Sequence, residues 1–178
     1  MEICIRHVED HDYEGISEIF SYDSVMEQTS QIPHRDAKFW KEFYASKGDG
    51  YIELVAVCEK KIAGHLGILL NQNPRRRHVG SFGIAVHPDF QGKGVGKALI
   101  QRLIDLADNW LNLLKIELAV FSDNEVAITL YKKFDFVVEG ESRFDVFKQG
   151  KYCHSLKMAR YHPQYIAGSQ PDSPENGD

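Results

Sequence analysis

Cysteine is scarce in this chain. Its 178 residues include three, Cys4, Cys58 and Cys153. They lie far apart and form no CxxC pair, which reads as free thiols in a reducing cytosol, so a cytoplasmic location is expected. A chain of this size also needs no disulfide staples to build a core. Long hydrophobic runs are missing: no window approaches the ~18 apolar residues of a membrane span, and no membrane partner is expected. The first residues, MEICIRHVED, lack the charged-then-apolar layout of a secretion signal. Positive charge is in deficit, with 21 Lys and Arg against 26 Asp and Glu, a net charge of −5. That balance argues against nucleic acid as the partner. No His, Cys, Asp or Glu group has ligand spacing, so no metal is expected. There is no internal repeat.

The chain has one domain's worth of periodic segments. Residues 2–8 alternate as a strand, and 11–21 carry Tyr13, Ile16, Ile19 and Phe20 at helical spacing behind Asp10 as N-cap. Residues 22–34 read as loop. A second helix fits 35–46, with Phe39, Trp40, Phe43 and Tyr44 on one face. Strands at 51–60 and 61–70 form a hairpin turning near Lys60, and a turn at 71–77 leads to a strand at 78–86. The longest helix, 94–112, has the stripe Val95, Leu99, Leu103, Leu106 and Trp110. A strand at 114–121, a helix at 124–134 and a hairpin of strands at 136–147 and 151–160 complete the domain, taken as 1–162. Residues 163–178, rich in Pro, Gly, Ser, Asp and Asn, read as a disordered tail. Strands joined directly should pair antiparallel, and the strand–helix–strand unit at 78–121 calls for parallel neighbours.

A strand that runs into a glycine-rich turn and then a helix makes an anion site, because backbone N–H groups converge where the helix dipole is positive. The turn here is Gln91-Gly92-Lys93-Gly94-Val95-Gly96. Its spacing is too tight for a Walker A loop, and Ala98 follows the lysine. Lys97 stands where a dinucleotide fingerprint needs its third glycine. The pattern Q/R-x-x-G-x-G/A fits throughout.

On these residues the sequence resembles the GCN5-related N-acetyltransferase (GNAT) superfamily, over residues 2 to about 160. A second segment, Asn124-Glu125-Val126-Ala127-Ile128-Thr129-Leu130-Tyr131-Lys132-Lys133-Phe134-Asp135-Phe136, resembles the family's N-x-x-A-x-x-L-Y-x-x-x-G-F, with Asp135 in place of the glycine. Asp tolerates the left-handed conformation needed there. The resemblance implies a three-layer α+β fold: a mixed, mostly antiparallel seven-stranded sheet with helices on both faces. It implies acetyl-CoA as cosubstrate, its pyrophosphate on the amides of Gln91, Gly92, Lys93, Gly94, Val95 and Gly96. It places the pantetheine beside Ile84 and Val86, the Ile84 N–H on the thioester carbonyl, Asn124 against the cofactor, and Tyr131 as proton donor to the leaving thiolate.

Amine acetylation requires a neutral amine, a stabilised oxyanion and a leaving thiolate. No cysteine sits in either motif, so direct attack in a ternary complex is expected rather than an acyl-enzyme. The glutamate base of a histone-acetylating branch is replaced by Gly80 here; Glu117 is the candidate base acting through water, with His65 and His78 behind it. The segments Gly64-His65-Leu66, Pro74 to Val79, Phe82-Gly83-Ile84 and Met158-Ala159-Arg160 are similar to a bacterial branch that acetylates free L-amino acids. That implies a small-molecule amine acceptor, an arginine from Arg75, Arg76 and Arg77 for its carboxylate, and an apolar pocket drawn from Phe39, Trp40 and Phe82. Two other readings are acetylation of a protein N-terminus or lysine, and a non-catalytic acyl-CoA sensor. A homodimer through the last two strands is expected by analogy.

Overall fold

The computed structural model describes residues 1–166. Seven strands form one sheet: β1 (Cys4–His7), β2 (Tyr51–Cys58), β3 (Lys61–Leu70), β4 (Val79–Val86), β5 (Lys115–Phe121), β6 (Val137–Lys148) and β7 (Lys151–Tyr161). Their order is β1-β2-β3-β4-β5-β7-β6. Only β4 and β5 pair in parallel; the other neighbours are antiparallel. The helices among the described residues are α1 (Tyr13–Ile19), α2 (Asp23–Met26), α3 (Ala37–Ala45), α4 (Val95–Asn109), α5 (Glu125–Lys132) and α6 (Pro163–Ile166). This is the mixed sheet of seven strands that the sequence pattern implies.

Side chains alternate along a strand and directly opposed residues share a face, so the register sorts the sheet into two faces. Leu54, Leu66, Ile68, Ile116, Leu118 and Met158 fall on one, where they pack with Val95, Leu99, Ile100 and Leu103 of α4 and Tyr131 of α5. Val55 and Ala85 fall on the other, under Ile16 and Ile19 of α1 and Trp40 and Tyr44 of α3. We call these the cofactor face and the acceptor face.

Three local expectations change. The stretch 22–34 contains a one-turn helix, because Val25 and Met26 insert into the α1–α3 core. Asp10 does not cap α1. The buried carboxylate is Asp12, which accepts two hydrogen bonds from Arg6 (2.6 and 2.8 Å) and one from the Glu9 N–H (2.7 Å). The segment expected as a tail begins with the helical turn α6, and its remainder, 167–178, lies outside the described residues.

Candidate active site

The parallel pair β4–β5 is short. Its last paired residues are Ser81 and Glu117, and beyond them the strands diverge. The β3–β4 ladder shows what divergence exposes. At one end the Asn71 N–H donates to the Val79 carbonyl (3.2 Å), and at the other the His87 N–H donates to the Ala63 carbonyl (3.0 Å). Alternate residues of an antiparallel strand bond to the same neighbour. Ser81, Gly83 and Ala85 therefore bond to β3, whereas Ile84 and Val86 turn their N–H and C=O toward the gap. The same parity on β5, set by Ser122 N–H to His154 O (3.0 Å) and His162 N–H to Leu114 O (2.8 Å), turns Ala119 and Phe121 toward the gap from the other side. An extended, amide-bearing chain can lie there and pair with β4 as an extra strand.

Past Val86 the chain turns sharply into the glycine segment. His87 secures this turn: its Nδ1 accepts from the Asp89 N–H (3.1 Å), and its carbonyl accepts from the Phe90 N–H (2.9 Å). The Gln91 amide donates to the Val86 carbonyl (3.2 Å). Gly92 and Gly94 have φ of +71° and +91°, the left-handed region that disfavours a side chain. Gly94 is the N-cap of α4, with its carbonyl taken by the Ala98 N–H (2.9 Å). The N–H groups of Val95, Gly96 and Lys97 have no intrahelical partner and point out of the helix end, where the dipole is positive. Gly96 has a second duty: a Cβ there would stand 3.3 Å from Leu130, so it sets how closely α4 approaches α5. These N–H groups beside the gap fit a pyrophosphate joined to an extended pantetheine-like arm.

α5 opens at Asn124, whose Oδ1 accepts from the Ala127 N–H (3.1 Å). This capping bond leaves the amide NH2 free for a ligand, a division of labour the sequence did not disclose. α5 ends where Asp135 takes φ +63°, as expected of the residue replacing glycine. The reversal lets the Phe136 N–H donate to the Tyr131 carbonyl (3.2 Å). Tyr131 is 6% exposed. Its ring stands edge-on to Phe82 of β4 (5.8 Å) and tilted against Phe136 (5.8 Å). Its hydroxyl has no protein partner, yet it is not sealed off: among the described residues the Trp40 indole N–H is the one buried side-chain polar atom left unpaired. Burial pushes the Tyr131 phenol up to about 12, so it keeps its proton at neutral pH.

The acceptor-side expectations separate. Glu117 lies at the apex of the gap on the acceptor face, with Arg76 on Oε1 (3.2 Å) and Lys115 on Oε2 (3.4 Å). It borders a cavity of about 260 Å³ shared with Leu69, Asn71, Gln72 and Ser81. Arg77 and His78 are exposed on the preceding turn, and the His78 carbonyl accepts from the Leu114 and Lys115 N–H groups. His65 is buried and bonds through Nε2 to Glu53 (2.9 Å), which also accepts from the Tyr13 hydroxyl (3.0 Å). It is a core residue covered by Tyr44 (4.8 Å). Phe39, Trp40 and Phe82 do not line one pocket. Phe39 and Trp40 pack together on the acceptor face, with Trp40 fully buried against Phe20 (4.3 Å), while Phe82 lies on the cofactor face.

This fold and cleft define a class, and the comparisons with known proteins agree with it. Residues 16–136 match the Acetyltransferase (GNAT) family, and the chain belongs to that family and is an N-acetyltransferase. Among its relatives is an L-amino acid N-acetyltransferase of Escherichia coli (strain K12), 42% identical over 159 residues, spanning 89% of this chain and 98% of the relative. A spermidine N(1)-acetyltransferase of the same organism is 28% identical, over 93% of this chain and 89% of the relative. The crystal structure of spermidine N-acetyltransferase from Vibrio cholerae in complex with CoA and spermine superposes with a TM-score of 0.82, at 26% identity, over 92% of this chain and 98% of that one. No helix among the described residues is long and apolar enough to cross a membrane.

Proposed function

We propose that this chain transfers the acetyl group of acetyl-CoA to the α-amine of a free L-amino acid, by direct attack in a ternary complex. The observation that carries the reading is the β4–β5 gap: Ile84 turns its N–H into it, the glycine turn ends beside it, and a cavity bordered by Ser81 and Glu117 lies at its apex. The 42% identity to an L-amino acid N-acetyltransferase supports the choice of acceptor.

In this reading acetyl-CoA supplies an activated thioester. The N–H groups from Gln91 to Gly96 hold its pyrophosphate, and Ile84 and Val86 pair with its extended arm. The Ile84 N–H donates to the carbonyl oxygen as charge develops there. The neutral amine attacks the carbonyl carbon, the C–S bond breaks, and Tyr131 gives its proton to the departing sulfur. The proton shed by the amine passes to water. Asn124 offers its amide NH2 to the cofactor. Arg76, half-exposed and tethered by one nitrogen to Glu117, has donors left for the acceptor carboxylate. Glu117 holds Arg76 in this reading, and the split between KM and kcat in Glu117→Gln separates that role from the water-mediated base expected of it. No metal takes part. The enzyme works in the cytoplasm with its cysteines free. Self-association runs through edge strand β6, where Val137 and Val138 are exposed.

The test is free-thiol release from acetyl-CoA with a panel of L-amino acids, spermidine and peptides. Release should be fastest with an L-amino acid. Release confined to spermidine or to peptides would overturn the acceptor assignment.

A further inference from the structure

A glycine inside a strand packs no side chain, and it occurs where something approaches the backbone closely or where the ladder bulges. Most strand glycines of this chain have such a reason within the protein. A Cβ at Gly64 would stand 2.9 Å from Val95 of α4, and one at Gly80 would stand 2.7 Å from Leu113. Gly67 is covered by Tyr51, whose phenol hydroxyl fills the place of the missing side chain. Gly140 sits at a register shift on edge strand β6. Gly83 has no such reason. A Cβ there would meet nothing within 4 Å, its φ is not left-handed, and its ladder with β3 is regular.

β4 is the middle strand of the sheet, and Gly83 is its one exposed residue. By alternation it shares the acceptor face with Ser81 and Ala85. Ser81 pairs with Glu117 and borders the same cavity, at the end of the cleft where Arg76 is tethered. On its other side Gly83 is opposed by Gly67, over which the Tyr51 hydroxyl stands. Tyr51 is held there by stacking on Tyr44 (5.4 Å), and its hydroxyl makes no hydrogen bond among the described residues. The peptide that joins Gly83 to Ile84 carries the N–H turned into the gap. A bare patch of backbone therefore lies between the Ile84 N–H, the Arg76 end of the cavity and the Tyr51 hydroxyl.

We infer that Gly83 is the seat of the acceptor: the α-carbon of the amino acid lies against this residue, and glycine is required there by the ligand, not by the fold. The inference rests on the amino-acid reading above and deepens it. An acceptor seated on Gly83 turns its amine to the thioester beside Ile84. Its carboxylate points along β4 toward Ser81 and the Arg76 end of the cavity. Its side chain is left the lane over Gly67, which the Tyr51 hydroxyl closes. A methyl group at position 83 would occupy the seat itself and lift the amine away from the carbonyl carbon.

The experiment uses the full chain and the variants Gly83→Ala and Gly83→Val. The space at position 83 is empty and an interior glycine is less stable than alanine in a strand, so Gly83→Ala should melt no lower than the wild type. Acetyl-CoA affinity by calorimetry should not change. With the amino acid the wild type uses best, kcat/KM should fall at least about tenfold in Gly83→Ala, the usual effect of forcing a methyl group into filled space, and further in Gly83→Val. A kcat/KM within about twofold of wild type in Gly83→Ala overturns the seat and leaves the amino-acid reading standing. A lower melting temperature in Gly83→Ala also overturns it, because the glycine would then serve the fold. So does a loss of acetyl-CoA affinity, which would put the new side chain in the cofactor's path. A wild type that acetylates no amino acid, while releasing thiol with spermidine, sinks the amino-acid reading and the seat with it.

Discussion

The Phe136 N–H donates to the Tyr131 carbonyl at 3.2 Å, and this backbone bond brings their two rings to 5.8 Å. The left-handed Asp135 between the helix and Phe136 makes the bond possible, so the helix terminator also positions the proposed proton donor. Tyr131→Phe keeps the ring contacts with Phe82 and Phe136 and loses only the hydroxyl. Acetyl-CoA affinity should stay the same while kcat falls by roughly 10²-fold, the usual contribution of a general acid. Equal falls in kcat and kcat/KM, read by steady-state kinetics, would mark an interaction made in the transition state. A Phe variant with wild-type kcat in a single-turnover assay would leave Tyr131 as a packing residue.

Glu117 distinguishes a base from an anchor. If it anchors Arg76, Glu117→Gln weakens the tether, and the acceptor KM should rise several-fold with kcat nearly unchanged. A water-mediated base would show the reverse, a fall in kcat of about 10²-fold or more. The split between KM and kcat decides.

Gly94 and Gly96 should fail for different reasons. A Cβ at Gly94 meets nothing closer than Ile3 at 3.9 Å, but its φ of +91° strains any L side chain. Gly94→Ala should cost about 1–2 kcal/mol of stability and weaken acetyl-CoA binding by disturbing the helix start. Gly96→Val would push Leu130 and α5 away, moving Tyr131 as well, so kcat should fall together with affinity. Calorimetry on folded variants with unchanged cofactor affinity would contradict the cradle.

The Arg6–Asp12 pair predicts a pH-dependent stability. Burial alone would raise the Asp12 carboxyl, but the Arg6 hydrogen bonds and the Glu9 N–H outweigh it and hold the group below its ordinary value. The stabilisation is therefore fully present above the unfolded value, near ~3.9, and is lost as pH falls through the lower folded value. Asp12→Asn should cost about 1–3 kcal/mol at pH 7, less than a fully buried pair because Arg6 is 31% exposed. The gap between variant and wild type in urea melts should narrow below about pH 4.

Most of the fold was legible because its signals are local. Alternation located the strands, the glycine turn located the start of α4, and the Asp135 position announced a left-handed residue that the backbone adopts. The one-turn α2 was not legible, since only Val25 and Met26 are buried in a polar stretch. Asp12 escaped notice because its partner, Arg6, is recruited from a strand.

The acceptor side was less legible for a geometric reason. Whether Phe82 shares a pocket with Trp40 depends on strand parity carried across the sheet, and nothing near either residue encodes it. The structure sets them on opposite faces.

The most direct test of the account is mass spectrometry of the small-molecule fraction after incubating the enzyme with acetyl-CoA and an equimolar mixture of L-amino acids. The account predicts N-acetyl-L-amino acids in amounts equal to the free CoA released, and loss of both products in Tyr131→Phe under single-turnover timing. Free CoA released without any acetylated amino acid, or acetyl found only on spermidine or on protein, would contradict it.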